Sequence, residues 1–103
     1  MLGIQITVVK TEFYPDLAQY VDESVEGEFG SCPVFNVGQS FIVHDAGEIP
    51  KDFCAWAWAD IQRDIAILLF GGQPQPIMKN RYSMFCCCDE GIRPVIFKIE
   101  RID

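Results

Sequence analysis

The stretch DFCAWAWADIQRDIAILLFGG, residues 52–72, decides the fold class of this chain. Between its apolar residues the only polar side chains are Asp60, Gln62, Arg63 and Asp64. Successive residues of a helix are about 100° apart, so Asp60, Arg63 and Asp64 fall on one narrow face. The pattern therefore predicts one long helix over residues 53–70, most of whose surface must be covered by other parts of the protein.

Signals at both ends support this helix. Asp52 stands where an N-cap residue is expected, because its carboxylate can accept hydrogen bonds from the free N–H groups of a first turn. Gly71 and Gly72 follow the last apolar residues and predict the end of the helix.

Trp56 and Ile67 lie beside the charged face, where a four-stranded sheet alone would leave them uncovered. We therefore expect a second copy of the chain to cover them, in a homo-oligomer.

The rest of the chain predicts strands and one short helix. Alternating apolar and polar residues predict strands over residues 2–9, 39–44, 82–88 and 94–102. Pro15 opens a segment with helical spacing, which predicts a short helix. The turn DEG at residues 89–91 predicts that the last two strands form a hairpin. This order predicts one α+β domain over residues 1–103, with a mainly antiparallel four-stranded sheet, one long buried helix and one short helix.

Composition narrows the class of protein. The chain has 103 residues, of which half are hydrophobic, enough for one packed core. Eight Lys and Arg against fifteen Asp and Glu give a net charge of −7, which repels phosphate backbones and anionic lipids. The acidic run at residues 22–30 predicts a solvated loop. We expect neither nucleic acid nor a membrane as a partner, and no apolar run is long enough to span a bilayer.

Cysteine is the residue type that folding explains least. An odd number of cysteines, five, in a chain with an ample core argues against a secreted disulfide scaffold and predicts a reducing, cytoplasmic location. The paired C-x-x-C spacing of zinc knuckles is absent. In a strand, Cys86 and Cys88 point to one face and Cys87 to the other. The alternative is that these thiols are small core residues that only pack, above all Cys86 and Cys87.

Two chemical hypotheses follow from the cysteines. In the first, Cys32, Cys54 and Cys88 converge on a soft metal such as zinc or iron, with Cys87 as the alternate to Cys88 and the sole histidine, His44, or Cys86 completing the ligand set.

In the second hypothesis, Cys54 is the catalytic thiol of a redox protein or enzyme, with Cys32 or Cys88 as its resolving partner. The predicted helix places Cys54 in its first turn, where the helix dipole favours a thiolate, although Asp52 opposes that charge. In a third hypothesis the protein is a non-catalytic oligomeric binding or scaffold module whose cysteines merely pack. None of the three identifies the small-molecule ligand.

An ordered set of motifs spans residues 4–102: Cys32-Pro33, Val37-Gly38 with Phe41, Phe53-Cys54 with Ala57-Trp58, Gly71-Gly72, and the cysteine-rich C-terminal stretch. It is similar to a small family of prokaryotic proteins of about this length, for which the resemblance implies no particular activity. The most specific part is the stretch CCCDEGIRPVIFKIERI, residues 86–102, although Glu90 replaces the family's usual Asp and Cys86 is an addition. The resemblance implies that Cys32, Cys54 and Cys88 form a set worth testing.

Overall fold

The computed structural model describes residues 2–22, 24 and 30–103. Within this part of the chain, all neighbouring strands of the four-stranded sheet are antiparallel, in the order β2-β1-β4-β3. The predicted α+β arrangement, with one long and one short helix, is confirmed, whereas most of the predicted acidic loop lies outside the described residues. The elements are β1 (Gly3–Thr11), α1 (Pro15–Ala18), β2 (Ser40–Val43), α2 (Ala55–Leu69), β3 (Ser83–Cys87) and β4 (Val95–Ile102).

The core lies between one face of the sheet and the inner face of α2. The predicted alternation along β1 and β4 brings every second residue to this face, where Ile6, Val8, Phe97 and Ile99 are fully buried. α2 contacts β1, β3 and β4. Its residues that enter the core share one side of the helix, as an amphipathic helix requires; they are Ala57, Ile61, Ile65, Leu68 and Leu69.

The start of α2 differs from the prediction. Cys54 is the N-cap residue, without a side-chain cap hydrogen bond, and the helix begins at Ala55. Asp52 has a φ of 65°, in the left-handed region, and lies in a turn in which the Phe53 N–H donates to the Pro50 carbonyl at 3.2 Å. The prediction of Asp52 as the N-cap is therefore wrong, because this turn separates its carboxylate from the first turn of the helix. Cys54 correspondingly precedes the first turn and is not its second residue.

The end of α2 is where the two glycines predict it. Gly71 has a φ of 99°, which an L side chain rarely adopts. Its N–H donates to the Leu68 carbonyl at 3.2 Å, and the Gly72 N–H donates to the Ile67 carbonyl at 2.8 Å. This pair of bonds is the Schellman motif, which satisfies carbonyls that the last helical turn leaves unpaired.

The outer face of α2 is open to solvent. Trp56 and Phe70 are 86% and 84% exposed, and Ile67 is partly exposed. Within the described chain Trp56 and Phe70 are left largely uncovered, and the homo-oligomer expected from the sequence stays a prediction.

Two glutamines bond to the outer edge of β3. The Gln75 side-chain oxygen accepts from the Phe85 N–H at 2.8 Å. The Gln73 side-chain amide donates to the Ser83 carbonyl at 2.9 Å, and its oxygen accepts from the Gln75 N–H at 2.7 Å. The loop that leaves α2 therefore satisfies backbone groups that an edge strand would otherwise present to solvent.

Candidate functional site

A cleft of about 770 Å³ opens where three separate segments meet. These are the loop that carries Cys32, the N-terminal turns of α2 and the turn between β3 and β4. The volume lies within the range of small-molecule sites. The cleft is formed because the β3–β4 hairpin and the start of α2 reach the same end of the sheet.

Three of the five cysteines line this cleft, one from each segment. They are Cys32, Cys54 and Cys88, and each is a free, half-buried thiol. These are the three residues that the sequence analysis singled out as a set. We refer to this feature as the three-cysteine cleft.

The backbone around Cys88 orients its sulfur. Its N–H donates to the Val95 carbonyl at 3.1 Å, which extends the β3–β4 pairing by one residue. The Val95 N–H donates in return to the Cys88 Sγ at 3.2 Å. The thiol thus accepts the bond that a carbonyl would accept in a regular antiparallel pair, and its position is fixed by the hairpin.

Cys54 and Cys32 are positioned differently. Cys54 is the N-cap of a helix of 15 residues, and its carbonyl accepts the first helical bond from the Trp58 N–H at 2.9 Å. Its side chain makes no cap hydrogen bond, so the first-turn N–H groups of α2 have no side-chain cap. Cys32 lies in a loop that Phe35 attaches to the core.

An aromatic cluster lies behind the wall of the cleft and reaches it through Phe35. Phe35 is only 3% exposed, and the centre of its ring lies 5.0 Å from that of Phe53 and 5.1 Å from that of Phe97, both in edge-to-face contact. Phe53 in turn contacts Phe41 and Trp58 edge to face at 4.9 and 6.0 Å. Such contacts stabilise aromatic clusters beyond their buried area. The same cluster therefore holds the loop of Cys32 and the start of α2 in place.

Charged side chains line the mouth of the cleft. The Asp60 Oδ2 accepts from the Asp89 N–H at 2.7 Å and so joins α2 to the β3–β4 turn. Glu90 and Arg93 form an ion pair, with the Arg93 Nε 2.8 Å from the Glu90 Oε2. Sequence reasoning missed the role of Asp60, because nothing in the spacing of residues 60 and 89 signals that they meet.

The remaining cysteines lie outside this cleft, on the faces that the strand alternation predicts. Cys86 packs against the core, and its burial, followed by the nearby Asp64 carboxylate, raises its pKa to about 12. Cys87 is exposed on the opposite face. Partial burial raises its pKa, with further contributions from Cys88 and Asp89. Neither thiol readily becomes a thiolate near neutral pH.

His44 also lies apart from the three-cysteine cleft. It lines a second cavity, of about 390 Å³, beside β2, where its Nδ1 is 3.1 Å from the Leu2 carbonyl oxygen. The structure therefore brings together three members of the predicted metal set and leaves His44 and Cys87 elsewhere. Within residues 2–22, 24 and 30–103, no group of three or more His, Cys, Asp or Glu side chains is arranged to hold a metal ion.

Comparisons of the chain with protein families, with curated proteins and with solved structures found no match. The family resemblance drawn from the motifs therefore stays a prediction. Among the described residues no helix is both long and apolar enough to cross a membrane.

Proposed function

We propose that the protein is a cytoplasmic thiol-redox protein that reduces small disulfides in the three-cysteine cleft. The observation that carries the proposal is that Cys32, Cys54 and Cys88 come from three segments and line one cleft as free thiols. A dithiol reductant needs one thiol that attacks and a second that resolves the mixed disulfide. The cleft has the volume to admit a small organic disulfide.

Cys54 is the attacking thiol in this proposal. The N-terminus of a helix stabilises negative charge, and the first-turn N–H groups of α2 have no side-chain cap that competes for them. Cys86 is excluded because burial raises its pKa to about 12. Cys87 is outside the cleft, and its pKa is also raised.

The reaction balances in two steps. The Cys54 thiolate attacks one sulfur of the substrate disulfide, forms a mixed disulfide and releases the other half as a thiolate, which takes up a proton from water. The deprotonated thiol of Cys32 or Cys88 then attacks the Cys54 sulfur, and the second half of the substrate leaves. Two electrons pass from the protein dithiol to the substrate, and a thiol reductant of the cell must restore the dithiol.

Alkylation followed by peptide mass spectrometry tests this assignment. Near neutral pH, iodoacetamide is expected to label Cys54 faster than Cys87, although Cys87 is the more exposed thiol. A small disulfide should form a mixed disulfide at Cys54, and Cys54→Ser should abolish its reduction. Cys87→Ser is the matched control and should leave reduction unchanged. If Cys87 reacts first and Cys54→Ser retains full activity, the proposal is wrong.

A soft metal ion, zinc or iron, bound by Cys32, Cys54 and Cys88 is the second candidate. Its support is that these three thiols line one cleft, since sulfur ligands select such metals. The described residues are not arranged to hold an ion as they stand, so metal binding requires the three thiols to move closer together. Two experiments test the metal candidate: elemental analysis of anaerobically purified protein, and protection of the cysteines from alkylation by added zinc. One equivalent of zinc should slow alkylation of all three cleft cysteines and leave Cys87 unprotected. Absence of bound metal and of protection would refute this candidate and leave the redox proposal standing.

We further infer that the protein acts as a homo-oligomer. The support is the exposure of two large aromatic side chains, Trp56 and Phe70, on the outer face of α2. Sedimentation velocity over a range of protein concentrations tests this inference, and a monomer at every concentration would refute it.

A further inference from the structure

The outer face of α2 carries an ordered stripe of exposed side chains. From the N-terminal end they are Trp56, Asp60, Arg63, Ile67 and Phe70, separated by steps of four, three, four and three residues. These are the steps between the a and d positions of a coiled coil. Three of the five are large and apolar. We refer to these residues as the outer stripe.

The outer stripe is complementary to itself when two copies run antiparallel. A two-fold axis midway between residues 61 and 62 places Trp56 opposite the partner subunit's Ile67. The same axis places Asp60 opposite the partner subunit's Arg63. Because the axis repeats each contact, the interface would hold two apolar pairs and two ion pairs. The apolar pairs flank the ion pairs on both sides.

We propose that α2 binds α2 of a second copy in this register and that the partner subunit's Arg63 becomes part of the three-cysteine cleft. The proposal rests on the homo-oligomer inferred above and adds its geometry. Trp56 and Asp60 belong both to the outer stripe and to the wall of the cleft. A partner bound along the stripe therefore extends the rim of the cleft with its own side chains.

The side chains of the stripe are available for these contacts. One oxygen of Asp60 accepts from the Asp89 N–H, which holds the carboxylate in place and leaves the other oxygen free to accept. Arg63 is exposed and forms no ion pair within the described part of the chain. Ala59, the exposed residue next to Asp60, is small enough to let a second helix approach closely.

Charge distinguishes this register from the nearest alternative. Sliding the helices so that Trp56 faces the partner subunit's Phe70 places Arg63 opposite the partner subunit's Arg63. Two guanidinium groups then meet, which disfavours that register. In the proposed register each guanidinium instead meets a carboxylate. The partner subunit's guanidinium also adds a positive charge to the rim of the cleft, beside Asp60.

Charge reversal with sedimentation velocity tests the register. Arg63→Asp alone and Asp60→Arg alone each replace two attractive pairs by two repulsive ones and should raise the dimer Kd by about tenfold or more. The double variant, Asp60→Arg with Arg63→Asp, restores opposite charges and should restore the dimer. Lys79→Asp makes the same change in net charge as Arg63→Asp, at an exposed loop residue, and is the matched control for that variant. Asp60→Asn removes the charge but keeps an oxygen that can accept from the Asp89 N–H. It therefore shows whether a weaker dimer results from the lost charge or from misfolding of the turn.

The outcomes separate the register from the proposals on which it depends. A dimer that the single variants do not weaken, or that the double variant does not restore, overturns this register while the homo-oligomer stands. A wild-type protein that is monomeric up to the millimolar range overturns both. The alkylation rate of Cys54 gives a second readout, which should fall in Arg63→Asp and remain unchanged in Lys79→Asp.

Discussion

Replacing Phe35 by alanine is expected to cost a large part of the stability of this protein. Phe35 is only 3% exposed and contacts Phe41, Phe53 and Phe97 edge to face. Buried Phe→Ala substitutions cost about 3–5 kcal/mol, and the cost depends on how far the site collapses. Phe35 lies in a loop that can move partly into the space, so we expect about 3 kcal/mol. A domain of this size has a total stability of about 5–15 kcal/mol.

Urea denaturation measures this loss. With a slope of about 1.5 kcal/mol per molar urea, the midpoint should fall by roughly 2 M. Tyr20→Ala is the control, because this aromatic side chain is 80% exposed and lies outside the outer stripe, so its removal should change stability by less than about 0.5 kcal/mol.

The substitution should also loosen the loop that carries Cys32. In native buffer, Cys32 is expected to be alkylated faster in Phe35→Ala than in the wild type, while Cys86 stays slow. Equal losses of stability in Phe35→Ala and Tyr20→Ala, together with unchanged labelling of Cys32, would refute the assignment of Phe35 as the anchor of this loop.

Three further substitutions test other parts of the fold. Gly71→Ala forces an L side chain into a φ of 99° and should destabilise the protein by about 1 kcal/mol in urea, whereas Gly91→Ala, at an open position, should not. Because burial raises the pKa of Cys86 to about 12, the folded state holds this proton more tightly than the unfolded chain does, and the resulting stability is present below pH 9.0 and lost towards pH 12. Cys86→Val should therefore show a shallower alkaline loss of stability than the wild type, and identical profiles would contradict the burial argument. Gln75→Ala should speed hydrogen exchange at the Phe85 amide, Gln75→Glu should retain protection, and equal exchange in both would exclude Gln75 as the protecting acceptor.

Periodicity predicted the elements of the fold because burial on one face leaves a regular mark on the sequence. Alternation in residues 2–9 and 94–102 located β1 and β4, and the apolar helix with its terminal glycines located α2. The turn at Asp52 could not be predicted, because Asp suits an N-cap and a left-handed turn equally well. The order of the strands also depends on tertiary pairing, which no single segment encodes.

The site was predictable only in part. The alternation of Cys86, Cys87 and Cys88 correctly predicted which face of the sheet each side chain lies on, because the geometry of a strand alone determines this. The role of Phe35 in attaching the Cys32 loop to the core could not be predicted, because this loop has no periodic pattern. Asp60 was recognised as part of the polar face of α2, but its bond to the Asp89 N–H depends on how the hairpin lies against the helix. Contacts of this kind arise only once the elements are packed.

The glutamines beside β3 bear on how many copies of the chain can assemble. Adding strands to a sheet edge is open-ended, because every added strand offers a new edge. Gln73 bonds to the Ser83 carbonyl and Gln75 to the Phe85 N–H. A strand added at this edge would have to break these two bonds before it could pair there. A two-fold pairing of helices, by contrast, uses up its own surface and stops at two copies. The loop after α2 thus disfavours growth of the sheet from its β3 edge, whereas pairing through α2 gives a particle of two copies.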